Sequence, residues 1–118
     1  MIDPIHRRGD IWTVDFGIHP EDPEQAPVRP TVIVSADQLH HPRLRMTILI
    51  PGTTYIRDIP LHVRVDPDVV NGLDTVTGFQ VEQIRAVAAS RLLRRVGKLD
   101  GVSGHTIDEI LRTALALH

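Results

Sequence analysis

No cysteine occurs in the 118 residues. Disulfides and thiolate metal sites are therefore excluded, and the chain suits a reducing, cytoplasmic compartment. No apolar run approaches the ~20 residues of a spanning helix, so no membrane partner is expected. The stretch Met1–Arg8 has no apolar core segment and does not read as a secretory signal. Aromatic residues make up only 3% of the chain, as Trp12, Phe16, Tyr55 and Phe79. Stacking platforms for bases are correspondingly scarce. Lysine is nearly absent too, since Lys98 is the sole one and every other cation is an arginine. The net charge of −2 argues against a protein that coats nucleic acid in bulk.

What remains is ordinary for a globular protein: 42% apolar and 24% charged residues over a length that fits one domain, residues 1–118. The charge is uneven. Asp3, Asp10, Glu21, Asp22 and Glu24 lie early, whereas Arg91, Arg94, Arg95 and Lys98 lie late, so one basic face is compatible with an acidic sum.

Alternation predicts strands. Trp12, Val14 and Phe16 share one side of a half-buried strand over 10–16, closed by Gly17. Residues 18–30 hold Pro20, Pro23, Pro27 and Pro30 and read as a loop, because each proline removes a ladder donor. The uninterrupted run Thr31-Val32-Ile33-Val34-Ser35 reads as a second strand. A third spans 44–50 and is stopped by Pro51-Gly52. Leu61, Val63 and Val65 alternate with His62 and Arg64 in a fourth. Residues 75–88 read as one long strand with a change of phase. Phe79 and Val81 share a face, and beyond Glu82-Gln83 the apolar Ile84 and Ala86 fall on the other. A bulge or a switch of packing partner accounts for that. Ser90-Arg91-Leu92-Leu93 reads as one helical turn capped by Ser90, and Val96-Gly97-Lys98-Leu99 as a short strand. Ile107, Ile110, Leu111, Ala114 and Leu115 recur at helical spacing, with Thr106 and Glu109 as a capping box or Ser103 as an earlier cap. The chain is therefore expected to be mainly β with a C-terminal α-helix, a small barrel with the helix docked on it.

Chemistry concentrates at two places. Arg29 enters the second strand, and Thr53 with Thr54 leaves the third. A guanidinium presents a fixed fork of donors that matches phosphate oxygens, and a threonine hydroxyl adds a neutral hydrogen bond. The plain alternatives are a surface arginine at a strand edge and a pair of turn-capping hydroxyls. Strand alternation would turn only one of the two threonines toward a phosphate. Tyr55 beside them is the best stacking aromatic, with Trp12 and Phe16 assigned to the core. Gln83 and Arg85, just past the change of phase, could serve a ligand contact or a structural one. His40-His41 does not suit a metal, since neighbours on a strand point apart and no acidic or Cys partner shares the spacing. His19 lies in the proline-rich loop as an acid–base candidate or an exposed histidine.

The ordered set Arg8-Gly9-Asp10-Ile11-Trp12-Thr13-Val14-Asp15, Glu24-Gln25, Arg29-Pro30, Pro51-Gly52-Thr53-Thr54, Glu82-Gln83-Ile84-Arg85, Arg91-Leu92 and Gly97-Lys98-Leu99 resembles the MazF/PemK toxins of type II toxin–antitoxin modules. The resemblance implies an SH3-like barrel of the MazF/PemK/CcdB type and a homodimer. It also implies an endoribonuclease that needs no metal or other cofactor and cuts single-stranded RNA at a short sequence. A cognate MazE-like antitoxin is the implied inhibitor. On this resemblance Arg29, Thr53 and Glu24 are the catalytic residues, and Gln25, Thr54, Tyr55, Gln83 and Arg85 contact RNA. Pro23, Ala26 and Pro27 depart from the small residues and glycines usual around the Glu24-Gln25 pair. The same barrel also carries the CcdB toxins, which bind DNA gyrase and cut nothing; that is the alternative function.

Overall fold

A computed structural model describes residues 6–17 and 26–117. Among them are seven strands and one α-helix. In chain order these are β1 (Asp10–Asp15), β2 (Val28–Ile33), β3 (Met46–Thr53), β4 (His62–Val65), β5 (Thr77–Gln80), β6 (Arg85–Ala88), β7 (Leu92–Lys98) and α1 (Gly101–Ala114). The strands run in the order β4-β5-β3-β2-β1-β7, with β6 on β3 beside β5, and every pairing is antiparallel. The sheet curls until its ends meet. Lys98 at the end of β7 donates its backbone N–H to Val70 O at 3.0 Å, in the connection that follows β4. The result is a small β-barrel with α1 laid against β4 and the short turn Val81–Gln83.

The main core gathers Ile11, Val32, Ile50, Val63, Phe79 and Ile107 inside the barrel. A smaller cluster of Val14, Leu49 and Val87 lies with Phe16 and Leu92. Leu49 and Ile50 are neighbours on β3 yet belong to different clusters, so the central strands are apolar on both faces. β1 is accordingly buried on both sides and not half-buried: Ile11 and Trp12 are both covered.

Those two clusters explain the change of phase in residues 75–88. It is a switch of partner. β5 pairs with Gly52 and Thr53 at the far end of β3, and β6 pairs with Met46 to Leu49 at the near end. The single-turn 3-10 helix Val81–Gln83 joins them. Phe79 and Val81 serve the main core, and Val87 serves the second. The apolar residues expected on the second face behave otherwise: Ile84 packs against the main core and Ala86 is exposed.

Three further expectations are corrected. β3 does not stop at Ile50 but runs through Pro51 and Gly52 to Thr53. Neither Ile50 nor Pro51 has a partner on the β5/β6 side, since β6 pairs up to Leu49 and β5 begins at Gly52. The proline's missing donor therefore interrupts no ladder there. Ser90 caps no helical turn. A 3-10 turn at Ala89–Arg91 begins without a side-chain cap, and Leu92 and Leu93 already belong to β7, whose Leu92 pairs with Val14 of β1. The cap of α1 is Asp100, whose carboxylate accepts from Ser103 N–H at 2.9 Å, and neither Ser103 nor Thr106 fills that place. That bond holds the Asp100 carboxyl below its usual pKa. No helix among the described residues is long and apolar enough to cross a membrane.

Candidate active site

Arg29 lies on β2, opposite Val14 of β1. Its residue is only 7% exposed, so it is not a surface arginine at a strand edge. The side chain reaches sideways across β3. Nε donates to the Gly52 carbonyl at 2.9 Å, and an Nη donates to the Gln80 side-chain oxygen on β5. Phe16 presents its ring 5.7 Å from the guanidinium carbon. A planar cation held at two of its corners by fixed acceptors cannot swing, which is the condition for a preorganised phosphate ligand.

The register explains why Thr53 comes to the same place. β2 and β3 pair Thr31 with Pro51, and β3 pairs Gly52 with Phe79 and Thr53 with Gly78. Phe79 points into the core with no exposure, so Gln80 next to it faces outward beneath the guanidinium. Thr53 is the last residue of β3 and accepts the Tyr55 N–H at its Oγ1, 3.1 Å away. The chain bends at Thr54 and Tyr55, so strict alternation ends there, and Thr53 and Thr54 both line the cleft.

That cleft has a volume of about 650 Å³ and is open to solvent, with Arg29, Thr53, Thr54, Tyr55 and Gln83 on its walls. Tyr55 is 74% exposed and carries the Arg57 guanidinium 5.8 Å over its ring. Arg85 is not among the lining residues. It stacks on Phe16 at 4.1 Å, and burial lowers its pKa from the usual guanidinium value. Its Nε is buried without a hydrogen-bond partner. Glu24, Gln25 and His19 lie outside the described residues.

Three groups at the cleft carry no role in the sequence reading. Gln80 holds Arg29. His62 and Glu82 form a pair at 2.9 Å on the adjoining wall. Gln80 was legible in principle as the polar neighbour of an inward Phe79. His62 reads from sequence only as the outward face of an amphipathic strand. His40 and His41 part as expected: His40 is buried against Ser35 Oγ at 2.6 Å, and His41 is exposed. Among the described residues no three His, Cys, Asp or Glu side chains gather as metal ligands.

Fold and cleft together define a small barrel protein with a buried guanidinium and two threonines at an open cleft. The family model of the PemK-like, MazF-like toxin of type II toxin–antitoxin systems matches residues 7–116. The chain belongs to that family. It is 33% identical over 120 residues to "Endoribonuclease MazF9" of Mycobacterium tuberculosis, covering 94% of this chain and 97% of that protein. It is 28% identical over 116 residues to "Endoribonuclease EndoA" of Bacillus subtilis, covering 96% and 97%. Among solved structures, a mycobacterial endoribonuclease in complex with its cognate antitoxin superposes with a TM-score of 0.75 at 21% identity, over 96% of this chain and 97% of that one. A MazE–MazF crystal structure from Deinococcus radiodurans reaches 0.77 at 15% identity, over 97% and 99%. At such identities the structural likeness concerns the fold, which is mainly β with one C-terminal helix.

Proposed function

We propose that this chain is the endoribonuclease toxin of a type II toxin–antitoxin module, cutting single-stranded RNA at a short sequence without a metal ion. One observation carries the reading: the buried Arg29 guanidinium is pinned by Gly52 O and Gln80 at an open cleft that Thr53 also lines. In the proposed reaction the ribose 2′-oxygen attacks the neighbouring phosphorus, an O2′–P bond forms and the P–O5′ bond breaks. The products are a 2′,3′-cyclic phosphate and a 5′-hydroxyl. Arg29 stabilises the charge that builds on the phosphorane oxygens, and the Thr53 hydroxyl donates to one of them. Guanidinium is a poor free base, so Arg29 is not assigned the 2′-hydroxyl proton. Glu24 is assigned as its acceptor, and the leaving O5′ takes up a proton from water. Gln25, Thr54, Tyr55 and Gln83 hold the strand. Arg85 is assigned to the support of the Phe16 ring that Arg29 also faces.

The toxin is proposed to act in the cytosol as a homodimer and to be silenced by a cognate MazE-like antitoxin, whose acidic and apolar segment covers the cleft. Purified protein in excess EDTA should cut a single-stranded RNA at fixed positions and leave duplex RNA intact. The ends should accept phosphate from polynucleotide kinase without prior dephosphorylation. Cleavage abolished by EDTA and restored by a divalent ion would reject the metal-free reaction.

A further inference from the structure

The cleft has a second polar centre that the chemistry above leaves unused. His62 on β4 is the cross-strand partner of Gln80, and Gln80 is the residue that carries the Arg29 guanidinium. Paired strands lie about 5 Å apart, so the imidazole's strand is one step beyond that support. Its Nε2 is 2.9 Å from Glu82 Oε2. The histidine side chain is 2% exposed and the glutamate side chain 30%, and both residues line the cleft. A carboxylate only accepts, so Nε2 carries the hydrogen. The other nitrogen, Nδ1, is buried without a hydrogen-bond partner. An unmet buried nitrogen lowers stability. A valine or phenylalanine at this strand position would avoid that loss, so stability does not account for an imidazole at 62. Holding Glu82 in one orientation does.

Among the described residues, Glu82 is the one carboxylate that lines the cleft, where the arginines are Arg29 and Arg57. A carboxylate repels the phosphates of a bound strand and attracts groups that offer N–H donors. Guanine is the RNA base that presents two adjacent donors, N1–H and N2–H, on one edge. They match the two oxygens of a carboxylate. Uracil offers one N–H, and cytosine and adenine each set an amino group beside an acceptor. Each carboxylate oxygen accepts two bonds, so the bond from His62 leaves Oε2 with capacity. Tyr55, in the same cleft, offers an exposed ring for the base to stack on.

We propose that Glu82, fixed by His62, is a base-reading residue that selects guanine beside the scissile phosphate. The inference rests on the ribonuclease reading. Glu82 touches the substrate, and His62 is a positioning residue that acts through it.

The full chain is tested on a single-stranded RNA with randomised positions, and the 5′-hydroxyl ends are sequenced. The wild-type protein should demand guanine at one fixed position adjoining the cut. Inosine there, which lacks the N2 amino group, should lower kcat/KM by about tenfold or more. Glu82→Gln, which keeps a single acceptor, should relax that position while the choices elsewhere in the site hold. His62→Phe should relax it in the same way. Should His62→Phe fail to fold, Glu82→Gln still decides, because it alters a partly exposed side chain by one atom. A wild-type enzyme that cuts with no guanine preference, or that accepts inosine equally, overturns the inference. So does a Glu82→Gln enzyme with unchanged preference, including one that is merely slower, as a proton-transfer role would make it. A folded wild-type protein that leaves all RNA uncut removes the ribonuclease reading itself.

Discussion

Gln80→Met is the sharpest probe of the site, because it keeps the length of the side chain and removes one of the acceptors that aim Arg29. The amide oxygen accepts a charge-assisted bond from the guanidinium, and Nε remains on Gly52 O. Bonds to charged groups contribute about 1.5–3 kcal/mol. Little of that should be lost from the fold, since the freed donor faces an open cleft where water replaces the amide. Stability should therefore fall by about 1 kcal/mol or less. The rate should suffer more. With that acceptor gone, the guanidinium is aimed less tightly, and its productive orientation must be restored at the transition state. At 1.36 kcal/mol per factor of ten, most of the lost bond energy corresponds to a kcat roughly 10- to 100-fold lower. KM should change little, because the charge that attracts RNA is retained. The assay is single-turnover and steady-state cleavage of a short RNA carrying the cut site, read beside a urea unfolding curve. If kcat stays at the wild-type value, or falls only in proportion to the unfolded fraction, Gln80 does not aim Arg29 and the geometric argument for the site fails.

Thr53→Val should lower kcat by about a hundredfold, the scale of one lost donor to a developing oxyanion, in the same cleavage assay. Unchanged turnover would clear the hydroxyl of any role. Gly97→Ala should unfold the barrel seam. A Cβ there would lie 2.3 Å from the Asn71 carbonyl oxygen and 2.4 Å from that of Val70, so backbone must move, at a cost of roughly 1–3 kcal/mol in urea unfolding. Acid should weaken the fold through His6. Burial chiefly, and the neighbouring His40 next, lower its pKa, while Asp10 and Asp37 oppose them in part. A histidine with a lowered folded pKa takes up its proton first in the unfolded chain. Stability is then full above the unfolded value of about 6.5 and declines as pH falls below it. His6→Phe should flatten that decline in melting temperature between pH 7.5 and 5, and an unchanged slope would exonerate His6.

Much of the barrel was legible because its strands alternate where one face is buried and run apolar where both are. Asp10 to Asp15 and His62 to Val65 are found where their patterns put them. The misreadings share a cause: tertiary pairing overrode local signals. Leu92 and Leu93 look helical beside Ser90, yet both belong to β7, where Leu92 pairs with Val14 and packs on the second cluster while Leu93 is exposed at a bulge. Pro51-Gly52 looks like a stop, yet it falls where the neighbour on one side of β3 changes. Gly101 and Gly104 hid the first turn of α1, because glycine disfavours helix and only the Asp100 cap marks the true start. At the cleft, residue chemistry singled out Arg29 and Thr53, and the resemblance named Glu82-Gln83 as part of a pattern. What neither supplied was who holds whom. The Gln80 contact of Arg29 follows from strand order, and the His62 contact of Glu82 from the turn after β5, and no spacing along the chain encodes either.

The same register makes the cleft a consequence of the core. A Cβ on Gly52 would lie 2.5 Å from the Thr77 methyl and 3.2 Å from both the Phe79 ring and the Pro30 carbonyl oxygen. Glycine at 52 is thus what lets β5 and the fully buried Phe79 close against β3. That closure brings Gln80 within reach of a guanidinium that starts two strands away on β2, and it leaves the Gly52 carbonyl facing Nε. The packing of one aromatic ring therefore bears on the separation of two acceptors of the Arg29 guanidinium, Gly52 O and Gln80. Interiors pack too tightly to absorb a methyl group without movement. Any change that lifts Phe79 from β3 should disturb the guanidinium and the barrel together, so substitutions beneath the cleft should lower activity and stability in step.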